Sequence, residues 1–429
     1  MDRRHFLSAL GVLAAAPVLA ACGDGDDSGG TEESSGPVKL RFLSLAWQKE
    51  SLQANKDIVA QWNKDHPSIQ IEYVQGDWNS VHDQLVTGFE GGGAPDIIHY
   101  EGAALSEFAK RGYLADLTGL VPAELKSEIS QQIWDTVTFD GKITAVPFLL
   151  ESQTVIANKK LLDAAKITVP AANAPWTWDE FQTNAKKLST AGVYGAAWAL
   201  KSPTNRVMNL ALNYDGKFFY TSGGKTEVRF GDAEKAVPQR IRDMIYTDKS
   251  ASPEALGMSG TDTLPGFFGG KYAMLPGSVS LRQQMAEQAP KDFQWVTLPP
   301  LKGTSTNQAA NPQTLSINAD TKAKKQAMEF IAGFLAPKNM ARLAMGDWLV
   351  PTGKQAGVEL NTLAAGKNGW DVAVASASSL VPAPFQAVDA YPEWKTKIAT
   401  PALQQYFANK ISLDDLGKQL VDGGKQVIK

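Results

Sequence analysis

The side chains able to do chemistry in this sequence are His66, His82 and His99 beyond the N-terminal segment, a single cysteine, eleven tryptophans and many carboxylates. The three histidines sit at spacings that suit no familiar metal site, and His66, ahead of Pro67, reads as a helix end. There is no G-x-S-x-G elbow and no P-loop, so neither nucleophilic hydrolysis nor nucleotide chemistry is indicated, and no cofactor or metal is expected. Carboxylates are plentiful enough that a glycosidase pair is not excluded by counting. The candidate polar and aromatic residues fall instead just after apolar runs. Trp47 and Gln48 follow the first run, Tyr100 and Glu101 the third, and Glu151 follows Phe148-Leu149-Leu150. Asn205 and Arg206 come after the run through Trp198. Open α/β sheets bind ligands beyond the C-terminal ends of their strands, which is where such residues would lie.

The elements that must position them alternate in type. Val38–Leu45, Ile69–Val74 and Asp96–Tyr100 read as strands. Between and after them Glu50–Lys64, Ser80–Phe89 and Ala103–Arg111 read as helices, the first with Ile58 and Trp62 one turn apart. Thr177-Trp178-Asp179-Glu180 has capping-box spacing and opens a helix ending near Leu188. Tyr194–Leu200, Tyr272–Leu275, Phe293–Leu298 and Thr314–Asn318 read as strands, and Ala233–Tyr246 and Leu281–Glu287 as helices. Strands separated by helical crossovers imply parallel, doubly wound sheets, and 429 residues imply two lobes rather than one core.

The N-terminus has an order of its own. Arg3 and Arg4 precede a short apolar stretch, Phe6–Leu19, of signal-peptide length and too short to anchor in a bilayer. Leu19-Ala20-Ala21-Cys22 then resembles the lipobox of bacterial lipoproteins, with residues 1–21 removed and Cys22 lipidated. The plainer alternative is a secretory signal with an incidental cysteine. Arg3-Arg4 fits a twin-arginine signal as well as the ordinary secretory route. With its sole cysteine spent on lipid the chain can form no internal disulfide. Residues 22–37, rich in Gly, Ser and acids, should be a flexible tether. The first 21 residues carry a charge of +1 and the remainder −4, which gives no attraction to nucleic acid or to an acidic membrane surface.

Several blocks resemble the family 1 bacterial extracellular solute-binding proteins, the group that includes maltose-binding protein. They are APDIIHYEGAALSEFAKRGYLADLT (Ala94–Thr118), VPFLLESQTVIANKKLL (Val146–Leu162), FFGGKYAMLPG (Phe267–Gly277), LPPLKG (Leu298–Gly303) and LVPTGKQA (Leu349–Ala356). Ala157 stands where the family usually has Tyr, while Asn158 and Lys159 are kept. The resemblance implies a two-lobed α/β fold of the type II periplasmic-binding kind, each lobe a doubly wound sheet, with the ligand cleft between. By analogy lobe I takes residues 38–150 plus 315–352, and lobe II takes 151–314 plus 353–429. The implied function is capture of a sugar or oligosaccharide and delivery to the permease of an ABC importer, by a non-enzymatic monomer held to the outer face of the membrane only by lipid.

A sugar offers hydroxyls to carboxylates and amides, and C–H faces to aromatic rings. The resemblance places Glu151 on a pocket carboxylate and Tyr100 on an aromatic platform; Trp394 reads either as a late platform or as core packing, and Asn205 and Arg206, after the run through Trp198, as lobe II polar contacts. Where relatives often carry Trp after the AMLPG block, this chain has Ser278-Val279-Ser280, so a stacking surface is missing and a long maltodextrin is disfavoured. Alternatives are the same fold binding a glycerol phosphodiester or other small anion, for which Arg206 and Lys201 would matter, and an exported glycoside hydrolase or lectin-like surface protein.

Overall fold

The protein is described by a computed structural model over residues 36–428. Residues 1–21, Cys22 and the tether as far as Ser35 lie outside the described residues. Among the described residues no helix is long and apolar enough to cross a membrane.

The first lobe is built on a six-stranded sheet in the order Val350–Pro351, Ala145–Leu150, Gln313–Ile317, Ile97–Glu101, Val38–Ser44, Ile69–Gln75. The last three pair in parallel, with Val38 opposite Ile69 and Phe42 opposite Ile97, joined by the helices Lys49–Asp65 and Val81–Glu90 as the alternation of periods requires. Ala145–Leu150 is buried at every residue, the pattern of a strand covered on both faces. The second lobe carries Trp295–Leu298, Gln153–Asn158 and Met274–Ser278 in that order. Single parallel bridges from Tyr194 to Tyr272 and from Ala196 to Ala251 widen it, so the strand expected at Tyr194–Leu200 is present only as bridged extended chain.

The edge strand Val350–Pro351 is antiparallel to Ala145–Leu150, and one interior strand in each sheet also runs against its neighbours. Gln313–Ile317 runs antiparallel to both neighbours, and so does Gln153–Asn158. Both have just crossed from the other lobe. They enter at the edge where their neighbours end: Gln313 lies opposite Glu101 and Leu149, and Gln153 opposite Ser278. A chain entering from that edge can only run backwards through the sheet. The links on either side, Glu151-Ser152 and Ala310–Pro312, therefore lie on the floor between the lobes. Gln308 fastens them, accepting from the Gln153 N–H at 2.7 Å and donating to its carbonyl at 2.8 Å. A third link joins them where Leu380-Val381 pairs with Gln308-Ala309, and Ser376 Oγ meets Ser152 Oγ at 2.6 Å.

Two main cores result, one around Phe42, Ile97, Phe148 and Phe330, the other around Trp178, Trp198, Ile241 and Tyr406. The helices Lys354–Ala364 and Trp370–Ser376 put Ala356, Leu360, Trp370 and Ala373 into the first core. That differs from the division expected from the resemblance, which gave all of 353–429 to the second lobe. The reason is local: Pro337–Asp347 packs beside Lys354–Ala364, and a link of six residues leaves no path to the far lobe. The capping box is formed as its spacing implies, Thr177 Oγ1 accepting from the Glu180 N–H at 3.1 Å and Glu180 accepting from the Thr177 N–H at 2.7 Å. His66 closes its helix with its ring stacked on Trp62 at 3.6 Å.

Candidate binding cleft between the lobes

The cleft has two compartments that share Glu101, Glu151 and Asn311. The larger, about 850 Å³, lies within the roughly 300–1,000 Å³ usual for small-molecule sites. Helix Leu105–Lys110 of the first lobe faces Asn205, Phe385 and Tyr391 of the second across it. The smaller, about 270 Å³, is lined by Trp47, Trp78, Gln48, Gln283 and Asp347 among others.

Glu151 sits on the first link between lobes, at the meeting point of both compartments. Its carboxylate accepts from the Ser278 hydroxyl and, at 3.2 Å, from the Ser280 hydroxyl. Ser278-Val279-Ser280, read from sequence as a lost stacking surface, thus supplies two donors that orient the cleft's central acid. Glu101 ends its strand facing the cleft and accepts from Asn311 Nδ2 at 3.2 Å. Trp47 is 62% exposed, the most exposed large apolar side chain among the described residues, and it lines the smaller compartment. Gln48 beside it is buried and bonds reciprocally with Gln283 of the second lobe, whose Nε2 donates to Gln48 Oε1 at 2.7 Å. Asn205 lines the larger compartment and accepts from the Tyr391 hydroxyl at 3.2 Å.

Three expected site residues are placed elsewhere. Tyr100 is 6% exposed, stacked on Trp78 at 6.3 Å and packed near Phe108, and it lines neither compartment. Strand alternation explains this, because its neighbour Glu101 takes the cleft-facing end. Burial pushes the Tyr100 hydroxyl up to about 12, with Glu101 adding to it. Trp394 is 1% exposed in the second core, edge-on to Phe219 at 5.0 Å with its indole N–H donating to the Leu420 carbonyl at 3.0 Å. The aromatic that reaches the cleft from that helix is Tyr391, three residues earlier. Arg206 lines a small crevice behind the cleft, with its Nε buried and unpartnered and its Nη1 donating to the Ala199 carbonyl. Burial lowers its guanidinium to about 10, against the opposing pull of Glu151, so it stays charged at neutral pH.

Sequence reasoning missed Tyr391, Phe385, Lys395, Trp78, Gln283 and Asp347 as cleft residues. Tyr391 and Trp394 share one short helix, and spacing alone does not say which faces out. Lys395 is held below its usual range by burial, with Glu101 pulling the other way. His99, dismissed as a metal ligand, positions the cleft wall instead. Its Nδ1 accepts from the Leu45 N–H at 3.0 Å and its Nε2 meets Gln313 Oε1 at 2.9 Å, which fixes a neutral ring with the proton on Nε2. Burial lowers its pKa to about 4. Among the described residues no group of three His, Cys, Asp or Glu side chains could hold a metal ion.

Residues 46–341 match the family model described as bacterial extracellular solute-binding protein. The lipoprotein of the oleD 5′ region of Streptomyces antibioticus is 47% identical over 402 residues, covering 93% of this chain and 88% of that one. The diacetylchitobiose-binding protein DasA of Streptomyces coelicolor is 24% identical over 81% of this chain and 82% of its own. Among solved structures, the sugar-binding protein MalE of Xanthomonas citri superposes with a TM-score of 0.79 at 19% identity, covering 91% of this chain and 97% of that one. The cyclic α-maltosyl-1,6-maltose-binding protein of Arthrobacter globiformis does so at 0.78 and 17%, covering 92% and all of that chain.

Proposed function

We propose that this chain, which belongs to the bacterial extracellular solute-binding proteins, captures a sugar or short oligosaccharide between its lobes and presents it to the permease of an ABC importer. One observation carries the reading: two carboxylates, Glu101 and Glu151, meet at the centre of a cleft that has Trp47 and Trp78 at one end and Tyr391 at the other. Acids and amides accept and donate to ring hydroxyls while the aromatic faces cover C–H surface. The sugar ligands named for DasA and the two structural neighbours support the same class. The anion alternative is weakened by Arg206, which faces a crevice behind the cleft.

A thermal-shift screen against mono- and oligosaccharides, with glycerol phosphodiesters in the same plate, tests the proposal. A cognate sugar at a hundred times its Kd should stabilise the fold by about 2.7 kcal/mol. A shift with phosphodiesters alone would reverse the assignment.

The protein on this reading is a monomer without catalytic activity, exported and anchored through lipid on Cys22. The S. antibioticus relative, named as a lipoprotein, supports the anchor. A thioether-linked diacylglycerol plus an amide-linked chain suffices for stable attachment where a single acyl chain is marginal. Cys22→Ser should release soluble protein that still binds sugar. Wild-type protein found unlipidated by mass spectrometry in its native host would contradict the anchor.

A further inference from the structure

Asp347 ends the helix Pro337–Asp347 on the wall of the smaller compartment. It is only 7% exposed, and its Oδ1 is buried with no hydrogen-bond partner. The other two carboxylates of that compartment each have a cation near: Glu151 has the Arg206 guanidinium behind it and Glu101 has Lys395 across the larger compartment. No Lys, Arg or His lines the smaller compartment among the described residues, and the side chains around Asp347 there include the amides of Gln48, Gln283 and Gln313. A buried carboxylate with one oxygen unbonded and no cation lining its compartment is costly, and such a group persists where a ligand supplies what is missing.

We propose, resting on the saccharide reading above, that the smaller compartment receives an amino-substituted sugar ring whose ammonium group pairs with Asp347 and whose face lies on Trp47 or Trp78. An ammonium brings both the absent hydrogen bond and the absent charge, whereas a hydroxyl brings only the first. Indole faces attract cations as well as C–H surface, so the two tryptophans suit the same ring. A metal ion is the other cation that could answer the charge, and no cluster of ligands for one exists among the described residues. Burial pushes the Asp347 carboxyl up to about 7, the Ser51 hydroxyl nearby drawing it back in part.

The test is calorimetric titration of the mature protein and of Asp347→Asn with matched pairs: chitobiose against cellobiose, glucosamine against glucose, and galactosamine against galactose. At least one amino sugar should bind the wild type about tenfold or more tighter than its hydroxyl partner, and Asp347→Asn should bring the two members of that pair together. Circular dichroism and a melting curve of the variant establish that it is folded. A preference that survives in Asp347→Asn, or no preference at all, overturns the inference. If neutral oligosaccharides bind and no amino sugar does, the inference falls and the saccharide reading stands. If no saccharide of either kind binds, both fall.

Discussion

Trp47 and Trp394 mark the two fates open to a tryptophan in this chain, and the contrast is measurable. Trp47 follows a strand at the cleft edge and stays 62% exposed, so Trp47→Ala should weaken sugar binding by about 1 kcal/mol with little change in melting temperature. Trp394 fills the second core, so Trp394→Ala should cost roughly 3–5 kcal/mol of stability. Paired denaturation and titration curves on both variants would expose a reversed assignment. Sequence position after a strand pointed to Glu101, Glu151 and Trp47, which line the cleft. It missed Asp347 and Tyr391 because both lie on helices, where the cleft-facing side depends on a lobe orientation that spacing does not encode.

Two buried groups also give the fold opposite responses to pH. His99 is held neutral, its pKa falling from 6.5 to about 4, so the unfolded chain takes up a proton between those values that the fold refuses; stability falls as pH drops through that window. For Asp347, raised from 3.8 to about 7, the fold keeps a proton the unfolded chain has released. Its contribution is full below about pH 4 and lost as pH rises through about 7. Asp347→Asn should therefore be more stable than wild type at pH 8, by on the order of 1–4 kcal/mol. Equal denaturant midpoints at pH 8 would mean that Asp347 is not buried as described.

Among elements, caps and apolar helix stripes were legible locally, whereas the strand read at Tyr194–Leu200 formed only single bridges. The Thr177 capping box and the helices at Lys49–Asp65 and Asp232–Tyr246 follow from caps and apolar stripes. Thr177→Ala should cost about 1 kcal/mol in a denaturant titration, because it removes a donor's partner at an exposed helix start. Strand direction was not legible. Thr314–Asn318 looks like any other short apolar run, and only the lobe from which the chain arrives makes Gln313–Ile317 antiparallel. Gly195 shows a further constraint hidden from pattern: a Cβ there would sit 1.9 Å from the Ala185 carbonyl oxygen, where the helix Trp178–Leu188 presses on the bridged segment. Gly195→Ala should destabilise the second lobe by several kcal/mol, far beyond the usual surface substitution. A wild-type melting curve would refute that close approach.

For the whole molecule, two lobes were legible from length and from family-like blocks, while the ownership of residues 353–376 was not, since an amphipathic helix fits either core. Three of the contacts between the lobes differ in strength. Gln48 and Gln283 form a buried reciprocal amide pair. Arg282 lays its guanidinium over Trp370 at 4.1 Å from the ring centre. Lys110 reaches both oxygens of Asp389 at 2.7 Å, but both partners are more than half exposed, so this pair contributes about 0–1 kcal/mol and shrinks with salt. Opening for ligand exchange costs least on the Lys110 side, and Lys110→Ala should speed release more than it alters the melting temperature, as a stopped-flow displacement experiment would read.

The central claim is that the saccharide lies between the lobes against Glu151, and calorimetric titration of Glu151→Ala with the sugar found by the thermal-shift screen tests it most directly. Ligand hydroxyls left without their acceptor should lower affinity by about 1.5–3 kcal/mol, roughly ten- to a hundredfold, in a variant shown by circular dichroism to be folded. An affinity equal to that of the wild type would place the ligand outside this cleft.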